Sequence, residues 1–244
     1  MKLPSRRTWR LIRLAIALIV ILVGTWQSQQ LHHEAEPAVA GQQAPVNNSP
    51  AAVALTKLDI KGRAAKTGYS RAQFSPGWGE IGTCDVRNYI LTRDLIDIAF
   101  VPHTCKVAKG TLVDPYTAST ILFLRGPDTS DNIQIDHVVA LSDAWQKGAQ
   151  LLSPAERYAL ANDPLNLLAV QGDANQAKGD GDAATWLPAN KAYRCPYVAR
   201  QIAVKVKYSL WVTHAEYDAM ANILRTCPEQ TLPTTPAIFM PSSI

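Results

Sequence analysis

The sequence predicts an α+β fold, on two observations. Short apolar runs of strand length, "TILFLRG" and "NLLAV", stand among segments of helical periodicity, without the strand-helix alternation that builds a parallel sheet. Two capping boxes mark helix starts, S-P-A-E at Ser153 to Glu156 and T-H-A-E at Thr213 to Glu216. Four cysteines, Cys84, Cys105, Cys195 and Cys227, form no CxxC pair, which speaks against a thiol zinc site. At 244 residues the chain is long enough for one domain with a full core plus extensions.

The elements follow in order. Lys2, Arg6, Arg7, Arg10 and Arg13 precede the apolar run "LAIALIVILV", the grammar of an export signal at residues 1–26. Ten apolar residues fall short of the ~20 of an upright membrane span, yet counting through Trp26 leaves an uncleaved anchor open, its basic flank cytoplasmic. Residues 27–53, rich in Gln, Ala, Pro, Asn and Ser, read as a flexible linker in which His32 and His33 are solvated. The folded domain is expected over residues 54–228. Its first third should be strands and irregular structure, and "NYILTRDLIDIAF" fits either strand or helix. The first capping box, with proline at the first helical position, predicts a helix over residues 154–162. "YVARQIAVKVKYSLWV" has helical periodicity, and the second box opens "AEYDAMANILRTC". Residues 229–244 form a Pro-rich tail. In an exported chain the even cysteine count reads as two disulfides. Three pairings are possible, and the sequence-local one, Cys84 with Cys105 and Cys195 with Cys227, is preferred; each bridge would contribute about 3 kcal/mol through loop entropy.

Net charge is a poor guide to partners. The formal charge is +4, but residues 1–40 carry five basic and two acidic side chains, so the remainder is close to neutral. Any basic footprint must be local.

The chemistry concentrates in "IDHVVALSDAW" and "NDPLNLLAVQGDANQAKGDGD". Successive side chains of a strand leave opposite faces, so a bulge or a strand end is needed to bring Asp136 and His137 to one site. If "NLLAV" pairs back on that strand, the segment after Gly172 starts a helix near the strand end. Asp173 would be its N-cap, with Asn175 and Lys178 on one face.

The order Asp136-His137, Asn166-Leu167, then Asn175 and Lys178, resembles the HNH, or ββα-metal (His-Me finger), endonucleases. With "GWGEIGTCDVRNYILTRDL", "GTLVDPY", "ERYALANDPLNLLAV", "NQAKGDGDAATWLP" and "RCPYVARQIAVKVKYSLWV", residues 55–227 resemble an exported bacterial HNH nuclease family related to the GmrSD restriction enzyme. The resemblance implies a ββα-metal core with added N-terminal strands and C-terminal helices. It makes Asp136 and Asn175 metal ligands, His137 the general base, and Asn166 the tie between the two arms of the loop. One carboxylate and one amide oxygen are a hard, incomplete set that suits magnesium (Mg2+) or manganese (Mn2+). Asn at 175, where the commonest pattern has His, removes the second histidine that would favour zinc or nickel.

Lys178 could clamp a phosphate, and Arg157, Arg194, Arg200, Lys205 and Lys207 could extend the track, against the plain reading of a solvated face. Lys205 and Lys207, two apart, cannot share one helical face. Trp145 and Trp186 read as core, His103 as structural and His214 as part of a capped helix. The expectation is a secreted or cell-envelope, metal-dependent endonuclease acting on DNA with little sequence specificity, with no protein partner and with membrane contact only through an uncleaved N-terminus. The rivals are a non-catalytic envelope domain that binds nucleic acid or a protein, and an RNase or toxin.

Overall fold

The computed structural model describes residues 44–234; the export segment, His32, His33 and the end of the tail lie outside the described residues. The elements run α1 (Pro50–Leu55), β1 (Glu80–Ile81), β2 (Cys84–Asp85), α2 (Val86–Asp94), β3 (Ile96–Phe100), β4 (Val107–Val113), β5 (Thr120–Leu124), β6 (Ile133–His137), α3 (Leu141–Gln146), α4 (Pro154–Asn162), β7 (Leu167–Gln171), α5 (Gly172–Lys178), α6 (Arg194–Lys207) and α7 (His214–Leu224). Short 3-10 turns lie between them, including Arg71–Gln73. The strands form three antiparallel sheets, β1-β2, β3-β4-β5 and β6-β7, as an α+β chain should.

Local chemistry explains several boundaries. Ser153 and Glu156 form the full reciprocal capping box on α4, which starts and ends where the sequence places it. "NYILTRDLIDIAF" divides: Asp85 caps α2 by accepting from the Asn88 amide, and Leu95 turns extended so that β3 can begin. Thr213 caps α7, but Glu216 does not close the box. Its carboxylate is fully buried against Lys147 and Lys205 instead. Both disulfides have the preferred pairing, Cys84–Cys105 and Cys195–Cys227.

The linker expected to reach residue 53 ends sooner. Ser49 caps α1, Ala51 and Leu55 are buried against Tyr197, Ile202 and Met220, and the Asn47 amide donates to the Leu224 carbonyl. The Ala51 N–H bonds the Gln230 carbonyl, so the first residues of the tail also belong to the folded unit.

The β6-β7 pair is held by charged side chains rather than by further strands. On the outer edge of β7, Asp94 accepts from the Ala169 amide at 2.8 Å and Asp114 from the Gln171 amide at 2.9 Å, which satisfies backbone donors that an open edge would expose. From α2, Arg93 donates to the Leu167 carbonyl and Arg87 to that of Ile133. A rigid two-stranded platform results, and α5 packs on it.

Candidate active site

β6 and β7 pair in unbroken antiparallel register from Ile133↔Gln171 to His137↔Leu167, without a bulge. Asp136 and His137 are therefore brought to one place by the strand end. Asp136 faces α5: the Lys178 ammonium donates to Oδ1 at 2.8 Å and the Tyr116 hydroxyl to Oδ2. Burial, with the Asp136 charge second, holds the Tyr116 phenol well above its usual range, so it stays a donor.

His137 turns to the other side. Its Nε2 lies 2.8 Å from the Ala161 carbonyl, one of the last-turn carbonyls of α4 that lacks a helical partner. A carbonyl can only accept, so Nε2 carries the proton and Nδ1 of the neutral ring keeps a free lone pair. Trp78 lies parallel to the imidazole, 10° from coplanar with centroids 6.0 Å apart. Desolvation by burial outweighs the carbonyl bond and holds the His137 pKa down to about 4, so the ring is neutral at pH 7.

Asn166 is fully buried and ties the two arms of the loop together. Its Oδ1 accepts from the Val139 amide at 2.8 Å, its Nδ2 faces the Val139 and Leu160 carbonyls, and its own carbonyl accepts from Val138. Asn175, on α5, donates through Nδ2 to Gln134 Oε1 at 2.8 Å, which orients the amide, and no side chain among the described residues donates to its Oδ1. Gly172 allows α5 to start this close to the strand: a Cβ there would stand 2.3 Å from the Asp131 carbonyl oxygen. A cavity of about 300 Å³ is lined by Asp136, His137, Ser142, Asn175, Asp180 and Arg71, among others.

A family profile, the GmrSD restriction endonucleases, C-terminal domain, matches residues 85–223. The chain belongs to this family. An uncharacterized secreted protein of the fungus Arthroderma benhamiae is 38% identical over 176 residues, covering 71% of this chain and 82% of the relative. The bacterial membership expected from the sequence is thus too narrow. No solved structure matches.

Several residues of this GmrSD-family chain are placed otherwise than the sequence suggested. Lys178 is buried, with its ammonium on Asp136 and, at 2.8 Å, on the His137 carbonyl, so it faces the strand and not a solvent-borne phosphate. Arg157 is buried under Trp145 and donates to the Gln73 and Leu152 carbonyls. Arg194 donates to the Pro188 carbonyl and Arg200 to that of Leu165. None of these arginines lines the cavity, so the proposed basic track is absent there. Lys205 is a buried partner of Glu216, and Lys207 pairs with Asp163 at 2.6 Å. Asp173 is inside α5, with Gln171 in the capping position. Trp145 and Trp186 pack in aromatic clusters, as expected.

Three residues at or directly behind the GmrSD-family cavity were missed. Asp180 accepts from Lys66 at 3.1 Å and from Ser142 at 3.0 Å, bonds that hold its carboxyl below the usual range. Tyr116 carries Asp136. Arg71 is exposed at the cavity rim and pairs with no acidic side chain among the described residues. Asp180 lies within "KGDGD" and was legible; Tyr116 and Arg71, 20 and 65 residues before Asp136, carried no local signal.

Two residues after Asp180, Asp182 belongs to a largely buried charge cluster. Lys147 contacts Asp143 and Asp182 at 2.7 Å and Glu216 at 2.6 Å, Lys205 reaches Glu216 at 3.0 Å, and Arg63 meets Asp143 at 2.9 Å and Asp182 at 2.7 Å. Three cations balance three carboxylates.

Proposed function

We propose that the chain is an exported, metal-dependent endonuclease of the HNH, ββα-metal type that hydrolyses DNA phosphodiesters with little sequence specificity. The observation that carries this reading is the convergence on one cavity of a neutral histidine, its Nδ1 left free by the Ala161 bond, with Asp136 and Asn175. In-line hydrolysis needs a base for the attacking water and positive charge on the phosphate oxygens. His137 supplies the base: Nδ1 takes the water proton while Nε2–H stays on the Ala161 carbonyl, which fixes the ring.

The donor set fits a hard divalent ion. No cluster of three or more His, Cys, Asp or Glu forms a cage among the described residues, but each Asp136 oxygen keeps a second lone-pair site and Asn175 Oδ1 has no donor. Asp136 and Asn175 would hold Mg2+ or Mn2+. When bound, the ion supplies Lewis-acid charge to the phosphate and the leaving oxygen. Tyr116 and Lys178 orient Asp136, and Asn166 holds the strand end that presents His137. The secreted fungal relative supports export of this chain.

The test is nicking of supercoiled plasmid by the purified exported chain in magnesium. His137→Ala should fall by at least about a hundredfold, the low end of general-base contributions. Full activity in His137→Ala would sink the mechanism. The engagement of both Asp136 oxygens favours one rival, a non-catalytic nucleic-acid-binding domain, and DNA binding without magnesium-stimulated scission would establish it. Linear duplex, single strands and RNA in the same assay decide the substrate.

A further inference from the structure

A second cleft shares Arg71, His137 and Leu141 with the cavity of Asp136 and Asn175, and the hydrolytic mechanism does not use it. Its volume is about 250 Å³, and its lining sets Ala72, Pro76, Trp78 and Leu141 beside the polar Ser75, with His137 in the shared wall. Arg71 lines both this cleft and the polar cavity of Asp136 and Asn175. Residues 71–78 lie ahead of the stretch, 85–223, that the family profile matches.

Two adjoining cavities, joined at a free guanidinium and at the base of the reaction, have the layout of a nucleotide. We propose that the Trp78-walled cleft is a nucleobase subsite, seating the base of the nucleotide next to the scissile phosphate while Arg71 holds the phosphate at the junction. The volume lies below the ~300–1,000 Å³ of drug-sized ligand sites, which suits one planar ring system. Half-buried Trp78 offers an aromatic wall on which any base can stack, compatible with little sequence preference. Guanidinium meets phosphate in a planar, bidentate geometry, and Arg71 is not neutralised by another side chain among the described residues.

This inference rests on the endonuclease reading, and the experiment separates the two. Oligodeoxynucleotides with one abasic residue are digested by wild type, Gly77→Phe and His137→Ala, and the rate at each linkage is mapped. Gly77 lines the cleft and a Cβ there meets nothing within 4 Å, so Gly77→Phe sets a ring at the cleft without forcing the backbone. Wild type should cut the linkage on one side of the abasic residue about tenfold more slowly than in intact DNA, the scale of one lost base stack. Gly77→Phe should cut intact DNA at that reduced rate and lose the discrimination. Arg71→Ala should raise KM more than it lowers kcat, and reduce the salt slope of KM by about one. Equal wild-type rates at intact and abasic linkages, or full activity of Gly77→Phe on intact DNA, overturn the subsite alone. Cleavage by wild type no greater than by His137→Ala overturns the endonuclease reading as well. Should Gly77→Phe fail to melt cooperatively, Ala72→Phe, at an exposed position of the same wall, replaces it with the same expected outcomes.

Discussion

Removal of the Lys147 ammonium should be among the most damaging single changes to this fold. The group is fully buried and contacts three carboxylates at 2.6 to 2.7 Å. At an effective dielectric of ~20, each contact is worth roughly 6 kcal/mol of gross Coulomb attraction, most of it offset by the desolvation of the ions. Lys147→Met keeps the bulk of the stem but leaves Asp143, Asp182 and Glu216 to Lys205 and Arg63. Breaking one partner of a buried pair costs ~3–5 kcal/mol, and the loss of three contacts, with one carboxylate charge left unbalanced, places this variant at the upper end, about 5 kcal/mol. That approaches the whole stability of a small domain, ~5–15 kcal/mol. Urea denaturation at pH 7 with the disulfides intact gives the measurement. Lys147→Met/Glu216→Met, which restores two cations to two carboxylates, should recover at least about 2 kcal/mol of the loss. The pH dependence supplies a second readout. Burial alone would raise the Asp182 pKa, but the hydrogen bond and charge of Lys147 and the charge of Arg63 outweigh it and bring it to about 2. The unfolded chain therefore binds this proton first as pH falls. The stability due to Asp182 is complete above the unfolded value near 3.8 and is lost as pH drops through about 2, roughly 2 kcal/mol in all. Lys147→Met should flatten that slope. A cost below about 1 kcal/mol for the single variant, or a double variant as unstable as the sum of its singles, would refute the account.

Other perturbations read other parts of the structure. Lys178→Met leaves Asp136 buried with Tyr116 alone; it should cost ~3–5 kcal/mol in urea melts and lower plasmid cleavage even after correction for the folded fraction. Leu55→Ala should cost ~2–5 kcal/mol, because α1 is core, and a chain truncated to begin at residue 56 should melt at lower urea than one beginning at 44. Asn166→Ala leaves the buried Val139 amide unpaired and should cost at least ~1–3 kcal/mol, with hydrogen exchange at Val139 accelerated in proportion.

Features decided within a few residues were readable from the sequence. The Ser153 box gave α4 its limits because both of its hydrogen bonds close over three residues. The strands on either side of the Asp136-His137 and Asn166 motifs were legible because their apolar runs have no other length of element to form. The boundary at residue 53 was misplaced because "NNSPAAV" has the composition of a linker, and small alanines carry little apolar signal. They are buried because they pack into one core with Tyr197, Ile202 and Met220, more than 140 residues downstream.

Charged residues were misread for a related reason. Glu216 sits at the third position of a capped helix, where its local option is the Thr213 amide; two buried ammonium groups at Lys147 and Lys205 compete for it and win. Lys178 has the spacing of a phosphate clamp, but no local feature records that Asp136 and the His137 carbonyl lie within its reach. Both cases follow one rule: a cation taken out of water must find an anion, so the sidedness of a lysine is set by the distribution of carboxylates in space rather than by its neighbours in sequence. The same rule makes Arg71 notable. With Lys147, Lys178 and Lys205 committed to the interior, and Arg157, Arg194 and Arg200 donating to carbonyls, Arg71 is an exposed cation at the cavity rim with no acidic partner among the described residues. An incoming phosphate could be met there without first breaking an ion pair.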